Sequence, residues 1–319
     1  MKTHRQPAKR SGFTLMELMV AMAITTIIVT VLVSITSIAL ETWNRSRSEL
    51  RASRQAKGMT DILARDFEGL VLRRNGLNEW LSARSPSTLQ GSASLKSANA
   101  AELDFLTAAT DRYDGNIGIP TKDLGGDVSS VGYRLAYKDP LESGKSGSDT
   151  FVLYRKLANP DVTFKSIIGP DIQSAFDSVY NAAEITKSEN FVCENILQFS
   201  VTFNVEVQDK TSTPPKTYIV PVIVDASSSS ANQVKELSIT GSGVVITSQA
   251  SSFSVGSKSF TLAEVQAGRV VSVQVALTVV SDFGIDQINK REFKSPEAKE
   301  KFLAQNSYQY TKLVQLPSM

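Results

Sequence analysis

The chain predicts an α+β protein: a long N-terminal helix, transmembrane and then amphipathic, packed on an antiparallel β-sheet head with an enlarged β-rich insertion. Three observations carry this expectation. Leu18 to Leu40 is 23 residues without a charge, and a bilayer core of about 30 Å needs about 20 helical residues. No proline stands between Pro7 and Pro86, and Leu50, Met59, Ile62, Leu63, Phe67 and Leu70 include the three- and four-residue steps of an amphipathic helix. From Glu102 onward apolar residues alternate instead, the period of two that marks a sheet with one buried face.

The start of the helix holds the most specific residues. One carboxylate, Glu17, stands in the apolar segment, fifth when counting begins at Phe13. A charge at the centre of a membrane helix costs about 2.5 to 3.5 kcal/mol, so Glu17 requires a partner or a place near the interface. In an uncleaved signal anchor it would reach toward the headgroups. A secretory signal is cut after an apolar core of about 7 to 15 residues, whereas here the basic pair Lys9-Arg10 and Ser11-Gly12 precede the core.

The run Lys9-Arg10-Ser11-Gly12-Phe13-Thr14-Leu15-Met16-Glu17-Leu18 resembles the class III signal of type IV pilins and type II secretion pseudopilins. The resemblance implies cleavage after Gly12 by a prepilin peptidase, N-methylation of Phe13, and filament assembly through Glu17. Elementary electrostatics agrees with it. Cleavage would leave the Phe13 ammonium at the end of an apolar helix, where a neighbouring subunit's Glu17 is a natural counter-charge, and two buried charges would neutralise each other. Many members of the family carry a proline near the position of Ser34, and this chain departs from that pattern, which fits a minor component better than a major one.

Composition narrows the function. The leader holds Lys2, Arg5, Lys9 and Arg10, and its removal leaves 30 basic against 32 acidic residues, a balance that argues against nucleic acid as a partner. The one histidine, His4, lies in the leader, so the mature chain lacks the base of a Ser-His-Asp or Cys-His mechanism and any histidine zinc ligand. The one cysteine, Cys193, excludes an intramolecular disulfide and reads as a small apolar strand residue. No phosphate-binding glycine loop is present.

The remaining elements follow in order. Gly58 is a weak point of the helix, read either as a bend or as a close-packing site. Trp43 suits an interfacial anchor, and the basic band Arg45 to Lys57 suits anionic headgroups, acidic neighbours or plain solvent. Asn75 to Ala100, polar and broken by Pro86, reads as a connector with a short helical piece around Leu77 to Leu81. Strands are expected at Glu102 to Ala108, Ser129 to Lys138, Thr150 to Leu157 and Asn195 to Gln208. The last forms a hairpin with Thr217 to Asp225, whose Pro221 assigns it to an edge or a bulge. Ala226 to Gly268 is the Ser- and Gly-rich insertion, with short strands at Val234 to Ile239, Gly243 to Thr247 and Ser259 to Leu262. Arg269 to Ser281 is expected to be a central strand, and Ser295-Pro296-Glu297 starts a helix. Asp111, Asp114, Asn116, Asp123 and Asp127 offer oxygen ligands of the kind calcium takes, but such clusters are mostly turn chemistry, and no metal site is assigned.

These readings divide the chain into a leader (1–12), the transmembrane half of the helix (13–40), its amphipathic half (41–72) and a periplasmic β-rich head (73–319). The strands at Gly132 to Tyr137, Phe151 to Leu157, Phe191 to Val207 and Val270 to Val280 resemble those of the J-type minor pseudopilin or the related W-type minor pilin. The expected function is that of a minor pseudopilin, a non-enzymatic, cofactor-free subunit of a type II secretion or type IV pilus-like filament. Its expected partners are prepilin peptidase, other pilins or pseudopilins and inner-membrane lipid, with the leader cytoplasmic and the head periplasmic. Glu17 argues against the K-type tip subunit, which usually lacks that acid. The alternative is a membrane-anchored binding module that displays its β-rich head for recognition, a reading motivated by the length of the insertion.

Overall fold

A computed structural model describes residues 12, 14–74, 76–85, 89–91, 95–97, 99–109, 126–141, 149–209, 214–226, 230–247 and 252–316. The chain divides into two compact units, residues 1–48 and 49–319. Helix α1, Leu15–Glu68, contributes to both.

In the first unit α1 has a window of mean hydropathy 2.6, long and apolar enough to cross a membrane. Its hydroxyls are satisfied within the helix: Thr25, Thr26, Thr30, Ser34 and Thr36 each donate to the carbonyl four residues back, at 2.7 to 2.9 Å. Back-bonding of this kind lets Ser and Thr sit in an apolar span without unpaired donors.

In the second unit the buried stripe of α1 is Ala52, Ala56, Met59, Leu63, Ala64 and Phe67. Four residues of the expected stripe, Met59, Leu63, Phe67 and Leu70, are buried. Leu50 and Ile62 stay exposed, and alanines take their place because a small side chain lets the helix approach the sheet. A Cβ on Gly58 would meet open space, and α1 runs unbroken through it, so it is neither a close-packing site nor a break. The helix ends at Glu68, and Leu70 forms an isolated bridge to Thr107.

The strands in chain order begin with β1 (Glu79–Arg84), β2 (Leu89–Gln90), β3 (Lys96–Ser97), β4 (Glu102–Thr107), β5 (Ser129–Lys138) and β6 (Thr150–Ala158). Next come β7 (Phe191–Glu194), β8 (Ile196–Asp209), β9 (Lys216–Val224), β10 (Gln233–Val234), β11 (Glu236–Thr240) and β12 (Gly243–Ile246). The chain closes with β13 (Phe253–Val255), β14 (Lys258–Phe260), β15 (Arg269–Val280) and β16 (Ser307–Gln315). They build two main sheets where the sequence suggests one: a seven-stranded sheet ordered β12-β11-β1-β4-β5-β6-β7 and a five-stranded sheet ordered β10-β9-β8-β15-β16. Asn195 divides what reads in sequence as one continuous strand. At φ 61° it adopts the left-handed conformation that Asn tolerates, so β7 ends in one sheet and β8 begins in the other.

The connector reading of Asn75 to Ala100 is corrected by β1, which lies between β11 and β4 inside the larger sheet. Trp80, Leu81, Ser82 and Ala83 are all buried, because helix Ile172–Val179 lays Ile172 and Phe176 on the face opposite the main core. Burial on both faces erases the alternation by which a strand is recognised. The insertion is woven into this sheet, with Leu237 and Ile239 of β11 fully buried.

The five-stranded sheet keeps its alternation. Phe199, Val201, Phe203 and Val205 of β8 and Val273, Val275 and Leu277 of β15 are fully buried in the shared core. Strand β15 lies inside the sheet, as expected, and β9 is bordered on its outer side only by the two-residue β10, which accommodates Pro221.

Candidate assembly site at the start of the helix

Gly12 is exposed, and Phe13 lies outside the described residues. Thr14 precedes the first turn of α1, where backbone N–H groups have no partner within the helix. Glu17 answers two of these needs at once. Its Oε2 accepts from the Thr14 backbone N–H at 2.8 Å and from Thr14 Oγ1 at 3.0 Å, while the Glu17 N–H donates to Thr14 Oγ1 at 3.3 Å. This reciprocal arrangement is a capping box. Sequence reasoning placed Glu17 as a counter-charge and missed its local role, although Thr-x-x-Glu before an apolar run is legible as such. Among the described residues no bond reaches Oε1, so the carboxylate keeps an acceptor for an incoming cation while it caps its own helix.

The head holds the base of α1 with charge. Asp66 accepts from the Tyr133 hydroxyl in a short hydrogen bond, and Arg155 clamps the same carboxylate through Nε at 2.6 Å and Nη2 at 2.8 Å. Burial, and then the Asp66 charge, push the Tyr133 hydroxyl well above its usual range, so it stays a donor. Phe67 stacks on Phe105 at 4.5 Å beside it. Nearer the start of the second unit, Arg51 reaches Glu194 at 2.6 Å and Asp282 at 3.3 Å. Part of the basic band is therefore committed to the head. Asn195 ties the same corner together, donating to Asp282 Oδ1 and accepting from Thr150 Oγ1, both at 2.6 Å.

A second charged cluster fixes helix Ile172–Val179 to the larger sheet. Arg134 donates to Asp104 and Asp177, and Arg84 to Glu102 and Asp177, each at 2.8 Å. Three carboxylates thus meet two guanidiniums. Asp104 Oδ1 is buried with no hydrogen-bond partner among the described residues. Burial, only partly offset by Arg134, pushes the Asp104 carboxyl up to about 7.

Cys193 is buried in β7 and its thiol is pushed up to about 12 by burial, an unreactive setting. Among the described residues no group of three or more His, Cys, Asp or Glu could hold a metal ion. Of the acidic loop, Asp111, Asp114, Asn116 and Asp123 lie outside the described residues.

Comparison with known proteins supplies one decisive finding at this end of the chain: residues 7–33 match the family model of the prokaryotic N-terminal methylation motif. The chain carries a type IV pilin-like prepilin signal. The match spans the Gly12–Phe13 junction, Thr14 and Glu17, together with the first half of the apolar helix. No curated protein and no solved structure matches the chain. A prepilin signal implies, in general, processing by prepilin peptidase and assembly with other pilins, and the single N-terminal apolar helix fits a single-pass membrane anchor.

Proposed function

We propose that the protein is a minor pseudopilin or minor pilin: cut after Gly12, methylated on Phe13, anchored in the inner membrane by α1, and incorporated with its periplasmic head into a short filament of a type II secretion or pilus-like machine. The observation that carries this reading is a single carboxylate, Glu17, within a membrane-length apolar helix and inside a matched methylation motif. The leader 1–12, span 13–40, amphipathic half 41–72 and head 73–319 are the working divisions of this reading. The charge clusters support a structural role, since Arg155 and Asp66, and Arg84 and Arg134 with Glu102, Asp104 and Asp177, are bonded to each other.

The chemistry at the helix start follows from charge. Cleavage creates an ammonium on Phe13, and N-methylation preserves its charge while adding apolar bulk. In a filament the neighbour's ammonium approaches the Oε1 side of Glu17, and the pair forms a charge-assisted hydrogen bond in a region where either charge alone would be costly. Glu17→Ala is expected to leave cleavage intact and to abolish most incorporation, measured by co-purification with sheared or cross-linked filaments. Normal incorporation of the variant would overturn the pairing.

The recognition-module reading is weakened by the insertion itself. Strands β11 and β12 are part of the larger sheet, so this part of the insertion is not a separable display element.

A further inference from the structure

Strand β6 is paired along its whole length on one side only. Toward β5 the ladder runs unbroken from Lys138–Thr150 to Ser130–Ala158, whereas β7 meets β6 only from Val152 to Tyr154, with a register shift between Leu153 and Tyr154. A bulge of this kind ends pairing. Among the described residues no strand pairs with Arg155 to Ala158 on that side, and along a strand alternate residues turn N–H and C=O to the same neighbour. Between this open edge and the flank of α1 lies a groove of about 840 Å³, within the range of specific ligand sites. Ile62 of α1 and Phe191 of β7 stand in its walls, 38% and 36% exposed. Most of its charges are answered from within: Asp66 is clamped by Arg155 at 2.6 Å, and Lys156 lies 3.5 Å from Glu189. Arg65, exposed on α1, has no counter-charge among the described residues.

We propose that this groove receives an extended acidic segment of a partner protein, laid beside β6 as an added strand with a carboxylate at Arg65. Three features select that occupant. A row of open backbone donors and acceptors is answered by another extended backbone, which neither a lipid nor a folded helix supplies. The charged side chains that ordinarily blunt a strand edge are here turned to internal partners, Arg155 to Asp66 and Lys156 to Glu189, so the edge is left accessible. The unanswered guanidinium of Arg65 favours Asp or Glu in the added strand over Lys, while Ile62 and Phe191 offer apolar contact to the side chains around it. Four residues of open edge at about 3.3 Å each make a lane about 13 Å long, continuing the line of β7 beyond Phe191. A ladder this short implies weak, exchangeable binding. The groove lies wholly within the head, and its occupancy does not depend on cleavage after Gly12 or on Glu17.

The test uses the full chain held one copy per lipid nanodisc and a fluorescein-labelled peptide, Thr-Val-Glu-Val-Thr-Val, with binding followed by fluorescence polarisation. Two further peptides serve as comparisons: one with Lys in place of Glu, and one N-methylated on every backbone nitrogen, which cannot donate to a strand. Wild type is expected to prefer the Glu peptide to the Lys peptide by about fivefold, the upper end for a solvent-accessible ion pair. The N-methylated peptide should bind at least about tenfold more weakly than its parent. Arg65→Glu should reverse the order of the Glu and Lys peptides, and its binding of the Lys peptide also shows that the variant folds. Arg65→Gln, which removes the charge alone, should bind the two alike. Equal binding of the Glu and Lys peptides by wild type, an order that Arg65→Glu leaves unreversed, or undiminished binding of the N-methylated peptide overturns the proposal. So does a wild type that binds none of the three, including one whose groove is closed by a second copy of the chain, seen as self-association by sedimentation.

Discussion

Glu17 has one observed task and one proposed task, and a single substitution confounds them. Its Oε2 caps the first turn through Thr14, and its charge is the proposed partner of a neighbour's Phe13. Thr14→Ala separates them, removing the hydroxyl half of the cap while keeping the carboxylate and its bond from the backbone N–H of residue 14. Incorporation of Thr14→Ala is expected to stay within about twofold of wild type, against the loss expected for Glu17→Ala, as read by co-purification with filaments; equal loss in both would make helix capping the sufficient explanation. The capping role is legible at residue scale from Thr-x-x-Glu, while the assembly role rests on the family resemblance. The unusual φ of Asn195 is not legible, because nothing local announces a switch between two sheets that only the assembled core defines.

At the scale of elements, helix Ile172–Val179 is held to the larger sheet by a network with one carboxylate too many. Glu102, Asp104 and Asp177 face Arg84 and Arg134 across β1, β4, β5 and the helix. The Asp104 carboxyl is raised to about 7 in the fold, against the usual 3.8. Folding therefore takes up a proton between those values. The resulting stability is fully present below about pH 4 and is lost as pH rises through about 7. Urea unfolding of the head is expected to weaken from pH 5 to pH 8 by on the order of 2 kcal/mol from this group, a slope that Asp104→Asn should flatten. An unchanged slope in the variant would show that Asp104 is ionised throughout. Strands with one solvent face, such as β8 and β15, were legible from alternation. So was β5, which matches its expected bounds: although Ser129 to Leu135 are buried, it still alternates in sequence because Ser130, Gly132 and Arg134 occupy the face opposite Val131, Tyr133 and Leu135. Strand β1 was not, because the helix and the core bury both its faces. Strand β16 escaped for a different reason: Lys312 occupies a core-side position that only its pairing with Asp61 explains.

For the whole molecule, the order of one long helix followed by antiparallel strands was legible, while the division into two sheets and the weaving of the insertion into the larger one were not. Those features arise from pairings distant in sequence, such as β1 with β11, which no local pattern encodes. Function was legible only at the first residues of the chain, where the prepilin signal matches. The match ends within the apolar helix, and no part of the head lies inside it. The central claim is therefore tested at the N-terminus, by intact mass and N-terminal analysis of the membrane-extracted protein with and without a co-expressed prepilin peptidase. The account expects a chain that begins at N-methylated Phe13 only when the peptidase is present. An uncut Met1 terminus in both samples would contradict it, and would leave Glu17 as a helix cap in a membrane-anchored binding protein.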